Sequence, residues 1–148
     1  MPQSLSKVTV HIIFSTQDRI DFLKDDIRIK THAYIATILH DMKSFVHKIG
    51  GTENHIHIAC TLPRTLSQSD FLNKLKSTSS KWLKHQGMED FYWQNGFGIF
   101  SVSQSHIDLL TQYIDHQMEH HKTISFKDEF RDFLYKYKIK YDEQYVWD

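Results

Sequence analysis

Asn54-His55-Ile56-His57-Ile58-Ala59-Cys60-Thr61 alternates imidazole and isoleucine before it turns small and apolar, which is the pattern of a strand. Alternate strand residues share a face. His55 and His57 therefore point one way, and Ile56 and Ile58 point the other. The strand is expected over 55–62, because Pro63 ends it. Ser44-Phe45-Val46-His47-Lys48-Ile49 is a second short alternating run. Gly50-Gly51-Thr52-Glu53-Asn54 between them reads as a turn, so the two runs form a β-hairpin.

Outward from the hairpin, Val8-Thr9-Val10-His11-Ile12-Ile13-Phe14-Ser15-Thr16 is β-branched and apolar and reads as a first strand. A helix is expected over 25–42. Ile27, Ile29, Ala33, Ile35, Ala36, Ile38 and Leu39 give it a broad apolar face, and Asp25 and Asp26 suit its positive end. Ser67 caps a second helix, with Asp70 three residues later and Gly87 as its stop. Phe71, Leu72, Leu75, Trp82 and Leu83 form its apolar face. Lys74, Lys76, Lys81 and Lys84 lie elsewhere on it, as solvated surface or as a track for phosphates.

Asn95-Gly96 punctuates an aromatic stretch, and a fourth strand is expected over 99–102. Ser103 or Ser105 caps a third helix running to about His120. Ser125 caps a fourth over 126–137, with Asp128 and Glu129 in its first turn. Residues 139–148 have no assignable place. The order β-α-β-β-α-β followed by two helices is that of an α+β, ferredoxin-like antiparallel sheet with helices on one face and additional C-terminal helices. The third helix follows the completed sheet, so it is free to present side chains to a site.

The 148 residues fit one domain, 1–148. With 40% hydrophobic and 24% charged residues, the composition is that of a soluble globular protein. No apolar run approaches the roughly 20 residues of a membrane span, and the N-terminus lacks a signal-peptide core. A cytoplasmic location is expected. Cys60, the single cysteine, excludes an internal disulfide and a cysteine-based zinc site. It reads as a small buried apolar residue. Lys plus Arg and Asp plus Glu are both 18, so any polyanion binding must rest on a local basic patch.

Eleven histidines are too many for all to be functional, so position must select among them. Two imidazoles on one strand face can aim at one cation. Tyr113 and Gln117 lie four residues apart on the third helix, hence on one side of it. They sit beside the stripe Ile107, Leu110, Ile114 and Met118, a placement equally open to a site and to ordinary surface residues. A glutamine carbonyl is a competent ligand for a hard cation. Two imidazoles and one amide oxygen leave coordination positions open, as a catalytic metal needs. Tyr113 is then the candidate nucleophile, a phenol with an ordinary pKa of about 10 that needs help to attack a phosphate. His120 falls on the same helical side and reads as structural or solvated. His11 and His47 read as core-edge histidines. Trp93, Phe97 and Phe100 read as packing, and Asn54 as a hydrogen-bond partner near the metal.

His55-Ile56-His57, Trp93-Gln94-Asn95-Gly96-Phe97-Gly98-Ile99-Phe100-Ser101-Val102-Ser103 and Tyr113-Ile114-Asp115-His116-Gln117-Met118-Glu119-His120-His121, in that order, resemble the IS200/IS605 family of single-tyrosine transposases. These belong to the HUH endonucleases, named for His-hydrophobic-His. The resemblance implies the HUH endonuclease type of fold, with His55, His57 and Gln117 as metal ligands, Tyr113 as nucleophile and Mg²⁺ or Mn²⁺ as cofactor. It further implies cleavage and rejoining of single-stranded DNA carrying imperfect hairpins, through a 5′-phosphotyrosine link. It also implies a homodimer with joined sheets, in which the tyrosine helix can serve the histidines of the other subunit. The alternative is a catalytically silent or domesticated protein of the same fold that binds hairpin DNA, as a repressor or a palindrome processor.

Overall fold

The computed structural model describes residues 2–148. Four strands form one sheet in the order β2-β3-β1-β4, and every neighbouring pair is antiparallel. They are β1 (Thr9–Ser15), β2 (Val46–Gly51), β3 (His55–Thr61) and β4 (Gly98–Ser101). Helix α1 (Asp25–Asp41) joins β1 to β2, and α2 (Gln68–His85) joins β3 to β4. After β4 come α3 (Ile107–Asp115), α4 (Gln117–His120) and α5 (Phe126–Lys136). This is the expected ferredoxin-like α+β arrangement with C-terminal helices added.

β1 is central, and all seven of its residues are buried. Both of its faces must therefore be covered. Val10, Ile12 and Phe14 join Ile56, Ile58 and Cys60 of β3 in one core under α1 and α2. Ile35, Ile38 and Leu39 come down from α1, and Phe71, Leu72, Leu75 and Leu83 from α2. Tyr34 and Trp82 stack at 4.6 Å where the two helices meet. Helices were expected on one face alone. The opposite face is in fact covered by the C-terminal helices, because Ile13 and Phe100 point there and need Phe126, Phe130 and Leu134 of α5 as cover.

The capping signals hold at two helices. Ser67 Oγ accepts from the Asp70 backbone N–H, and Ser125 Oγ from that of Asp128. Other expectations shift. Ile29 is 66% exposed, so the working face of α1 is narrower than its apolar composition. The third helix is not continuous to His120; it breaks at His116 and resumes as α4. Met118 is consequently out of the core stripe and exposed. Ser103 heads the turn before α3 without making a side-chain cap, its hydroxyl meeting His106 Nδ1 instead. The tail folds back. Trp147 packs on Phe126 and Phe130, Arg19 donates to the Trp147 carbonyl at 2.6 Å, and Gly96 N–H to that of Asp148 at 2.9 Å.

Gly50 and Gly51, expected in the turn, belong to β2, and Gly50 pairs with His57. A Cβ on Gly50 would lie 2.5 Å from the Ile114 carbonyl oxygen and 2.8 Å from its Cγ2. The bare backbone there is what lets α3 lie directly on the sheet, and Lys48 pins the helix end through Asp115 at 2.8 Å. Gly50→Ala should therefore lift α3, destabilise the fold by about 1–3 kcal/mol in denaturant titrations, and separate Tyr113 from the histidines.

His32 on α1 has a buried Nε2 with no hydrogen-bond partner. Burial, with the charges of Arg28 and Lys48, pushes its pKa down to about 4. A histidine held neutral in the fold protonates more readily unfolded, so its stabilisation is present above pH 6.5 and is lost as pH falls from there toward 4. Unfolding free energy should drop across that window, with His32 contributing up to about 3 kcal/mol. His32→Leu should flatten the profile measured by denaturation at pH 7, 6, 5 and 4.

Candidate active site

The face of the sheet under α3 and α5 carries His11, His55 and His57. The register pairs Ile13 with His57 and Ser15 with His55, which puts His11 diagonally beside His57. His11 Nε2 lies 2.7 Å from His57 Nδ1. Asn54 Oδ1 lies 2.8 Å from His55 Nδ1, with Thr52 Oγ1 at 3.0 Å. Each β3 imidazole is thus held by its Nδ1, and Nε2 is aimed away from the sheet. Such outer partners orient metal-binding imidazoles. Asn54 was expected near the site, whereas His11 was expected to be structural.

At the focus of the two Nε2 atoms sits Glu129 of α5, 2% exposed. Its Oε1 is 2.9 Å from His57 Nε2, 3.7 Å from His55 Nε2 and 3.2 Å from His121 Nε2. Its Oε2 accepts from Gln117 Nε2 at 3.0 Å and from the Tyr113 hydroxyl through a short hydrogen bond, with His120 Nε2 at 3.3 Å. Gln117 Oε1 lies 3.0 Å from His55 Nε2. The break at His116 starts a new short helix at Gln117, whose side chain is buried against this cluster. Tyr113, Gln117, His55 and His57 meet within this one chain.

Burial pushes the pKa of His55 and of His11 well down, helped in each case by His57. Neutral imidazoles keep lone pairs for a cation. Burial opposes ionisation of Glu129, yet the His121 and His57 imidazoles win and hold its carboxyl far below the usual range. Burial, and then the Glu129 charge, push the Tyr113 phenol well above its ordinary value. The outcome is an ionised carboxylate beside a protonated phenol.

The donor set fits a divalent cation. Ligand atoms of His55, His57, His121 and Glu129 all lie within 4.8 Å of one another, and Gln117 Oε1 adjoins them. His121 Nε2 is buried without a hydrogen-bond partner. Imidazole donors suit zinc, copper, iron or nickel, and oxygen donors suit magnesium or manganese.

Sequence reading missed Glu129 and His121 as members of this cluster. The signal for Glu129 was present: it lies three residues after Phe126 and one before Phe130, on the apolar stripe of α5 rather than opposite it. Lys76 also differs from expectation. Its Nζ donates to the carbonyls of Gln94, Asn95 and Gly96 at 2.6, 3.1 and 2.8 Å, and burial lowers its pKa to about 8. It closes the loop before β4 instead of offering a free charge to phosphates. Trp93 and Phe100 are core residues, as expected.

On the solvent side of Tyr113 a cleft of about 560 Å³ opens between α3, α5 and β4, lined among others by His106, Phe133, Lys136 and Tyr137. No helix among the described residues is long and apolar enough to cross a membrane.

The fold is shared with known transposases. Residues 4–117 match the family described as transposase IS200 like. This chain belongs to that family. A crystal structure of a candidate transposase from Deinococcus radiodurans R1 superposes with a TM-score of 0.62 at 18% identity, covering 79% of this chain and 98% of that one. A REP-associated tyrosine transposase, solved bound to a REP hairpin, superposes at 0.60 with 16% identity, covering 84% of this chain and 74% of that one. No protein in the curated set matches in sequence.

Removing the outer partner of His57 should loosen the cluster. His11→Leu is expected to weaken Mn²⁺ binding by roughly 10- to 100-fold in calorimetry.

Proposed function

We propose that this transposase cleaves and rejoins single-stranded DNA at hairpin-bearing ends through a 5′-phosphotyrosine intermediate on Tyr113, and that the whole chain, 1–148, acts as one transposase domain. The observation that carries the reading is the convergence of Tyr113, Gln117, His55 and His57 on one carboxylate, Glu129. The hairpin held by the REP-associated relative supports the substrate class.

Glu129 Oε2 accepts the Tyr113 hydrogen bond and so fixes where the phenolic oxygen points. Attack of that oxygen on the scissile phosphorus forms the tyrosyl ester and breaks the bond to the 3′ oxygen. Glu129 orients the hydroxyl rather than keeping its proton; the phenol proton is given up to solvent through the cleft as the ester forms, and the departing 3′ oxygen takes up a proton from solvent to leave as a hydroxyl. Rejoining is the same displacement run backward by a 3′-hydroxyl, and the ester conserves the bond energy it needs. His55, His57 and Gln117 would hold Mg²⁺ or Mn²⁺, which when bound polarises the phosphate and stabilises charge developing on its oxygens. The strand carrying the phosphate has access to Tyr113 through the cleft beside it, where Phe133 and Tyr137 offer ring faces and Lys136 a charge.

A homodimer, if formed by joining sheets, would use an outer strand, β2 or β4. Each copy would then carry a whole site. A silent hairpin-binding protein is the competing reading, and the retained Tyr113, Gln117 and paired histidines stand against it.

Hairpin-bearing single-stranded DNA incubated with the protein and Mn²⁺ should yield a covalent adduct that survives denaturing gels. Tyr113→Phe should abolish it, and His55→Ala should lower cleavage by several orders of magnitude. An adduct persisting in Tyr113→Phe, or metal-independent binding with no adduct in the wild type, sinks the reading.

A further inference from the structure

We infer that His121 and Glu129 complete the metal-binding set, so that the cation is held by His55, His57, His121 and Glu129, with Gln117 Oε1 beside them. The inference rests on the proposed metal-assisted site and deepens it. The family match ends at residue 117, so neither residue lies in the stretch it covers.

The first argument is the direction of the His121 ring. Its Nδ1 lies 2.8 Å from the Ile124 carbonyl oxygen. A backbone carbonyl can only accept, so Nδ1 carries the proton and Nε2 is left with its lone pair. That Nε2 is buried, faces Glu129 Oε1 at 3.2 Å, and makes no hydrogen bond. The ring's Nε2 direction is not aligned on Glu129 Oε1. The in-plane direction at Nε2 is also that of its lone pair, so the lone pair passes beside Oε1, where one cation can meet both atoms.

The second argument is spacing. Donors about 2.1 Å from one cation and at right angles to each other are about 3.0 Å apart. The separations are 2.9 Å for His57 Nε2 to Glu129 Oε1, 3.2 Å for His121 Nε2 to Glu129 Oε1, and 3.0 Å for His55 Nε2 to Gln117 Oε1. His55 Nε2 to Glu129 Oε1, at 3.7 Å, is close behind. Glu129 divides its labour: Oε1 faces the imidazoles of His55, His57 and His121, and Oε2 faces Tyr113, Gln117 and His120. The buried carboxylate also supplies the negative charge a divalent ion needs.

The test is Mn²⁺ binding alone, without DNA, by calorimetry and by metal-induced shift of the melting temperature. Wild type, Glu129→Gln, His121→Gln and His57→Ala are compared, with circular dichroism to confirm each fold. Glu129→Gln and His121→Gln should each weaken Mn²⁺ at least about tenfold and shrink the melting shift. With Co²⁺ as a coloured substitute, both should change the visible absorption spectrum, which a merely structural role would leave alone. Either variant that binds Mn²⁺ like wild type, while His57→Ala does not, removes that residue from the set and leaves the proposed function standing. If His57→Ala also binds normally, the metal reading itself falls. Should Glu129→Gln fail to fold, His121→Gln decides the matter.

Discussion

A single buried carboxylate is the interaction on which the rest depends. Burying a charge is unfavourable unless it is paired and hydrogen-bonded. Glu129 is nevertheless 2% exposed, and it is ringed by side chains from β3, α3, α4 and the turn before α5. Each of those segments is held in place for its own reason. β3 is fixed by antiparallel pairing on both sides, α3 by its seat on Gly50, and α5 by Phe126, Phe130 and Leu134 against Ile13 and Phe100. The tail belongs to this support. Trp147 covers the α5 aromatics and is tied to Arg19, so the chain end braces the helix that carries the carboxylate.

The period-two geometry of the strands separates stability from chemistry. Along β3, Ile56, Ile58 and Cys60 enter the apolar core under α1 and α2, while His55 and His57 face α3 and α5. β1 divides in the same way, with Ile12 and Phe14 on one side and His11 on the other. The polar cluster can therefore be dense with lone pairs without opening the main core. A one-residue slip of β3 would exchange the two faces, moving the imidazoles into the core and the isoleucines into the site.

These same facts explain what could be read from the sequence. The His-Ile-His alternation fixes the face of both imidazoles with no tertiary knowledge, and Ser67 and Ser125 mark helix starts because capping is local. Tyr113 and Gln117 could be paired by helical spacing, although the helix breaks between them. What was not legible depended on distant partners. Glu129 carries the same charge as Asp128 beside it, and only the packing of α5 turns one inward and the other to solvent. His121 is distinguished by a carbonyl three residues on, within an irregular turn. Lys76 looked free because its three carbonyl partners lie about twenty residues away. Gly50 looked like turn punctuation because the helix that needs its missing side chain comes more than fifty residues later.

The arrangement of Glu129 also bears on why a phenol so hard to ionise sits at a nucleophile's position. Burial comes first among the causes holding the proton on Tyr113, and the negative charge of Glu129 comes next. The carboxylate that orients the hydroxyl thus also keeps it protonated. On the proposed reading, a cation facing Oε1 would offset that charge from the opposite side of the same group, easing the second cause without disturbing the hydrogen bond at Oε2. Ground-state orientation and activation would then be set by the two oxygens of one side chain. The phenol would stay quiet until the imidazole side of the cluster is filled.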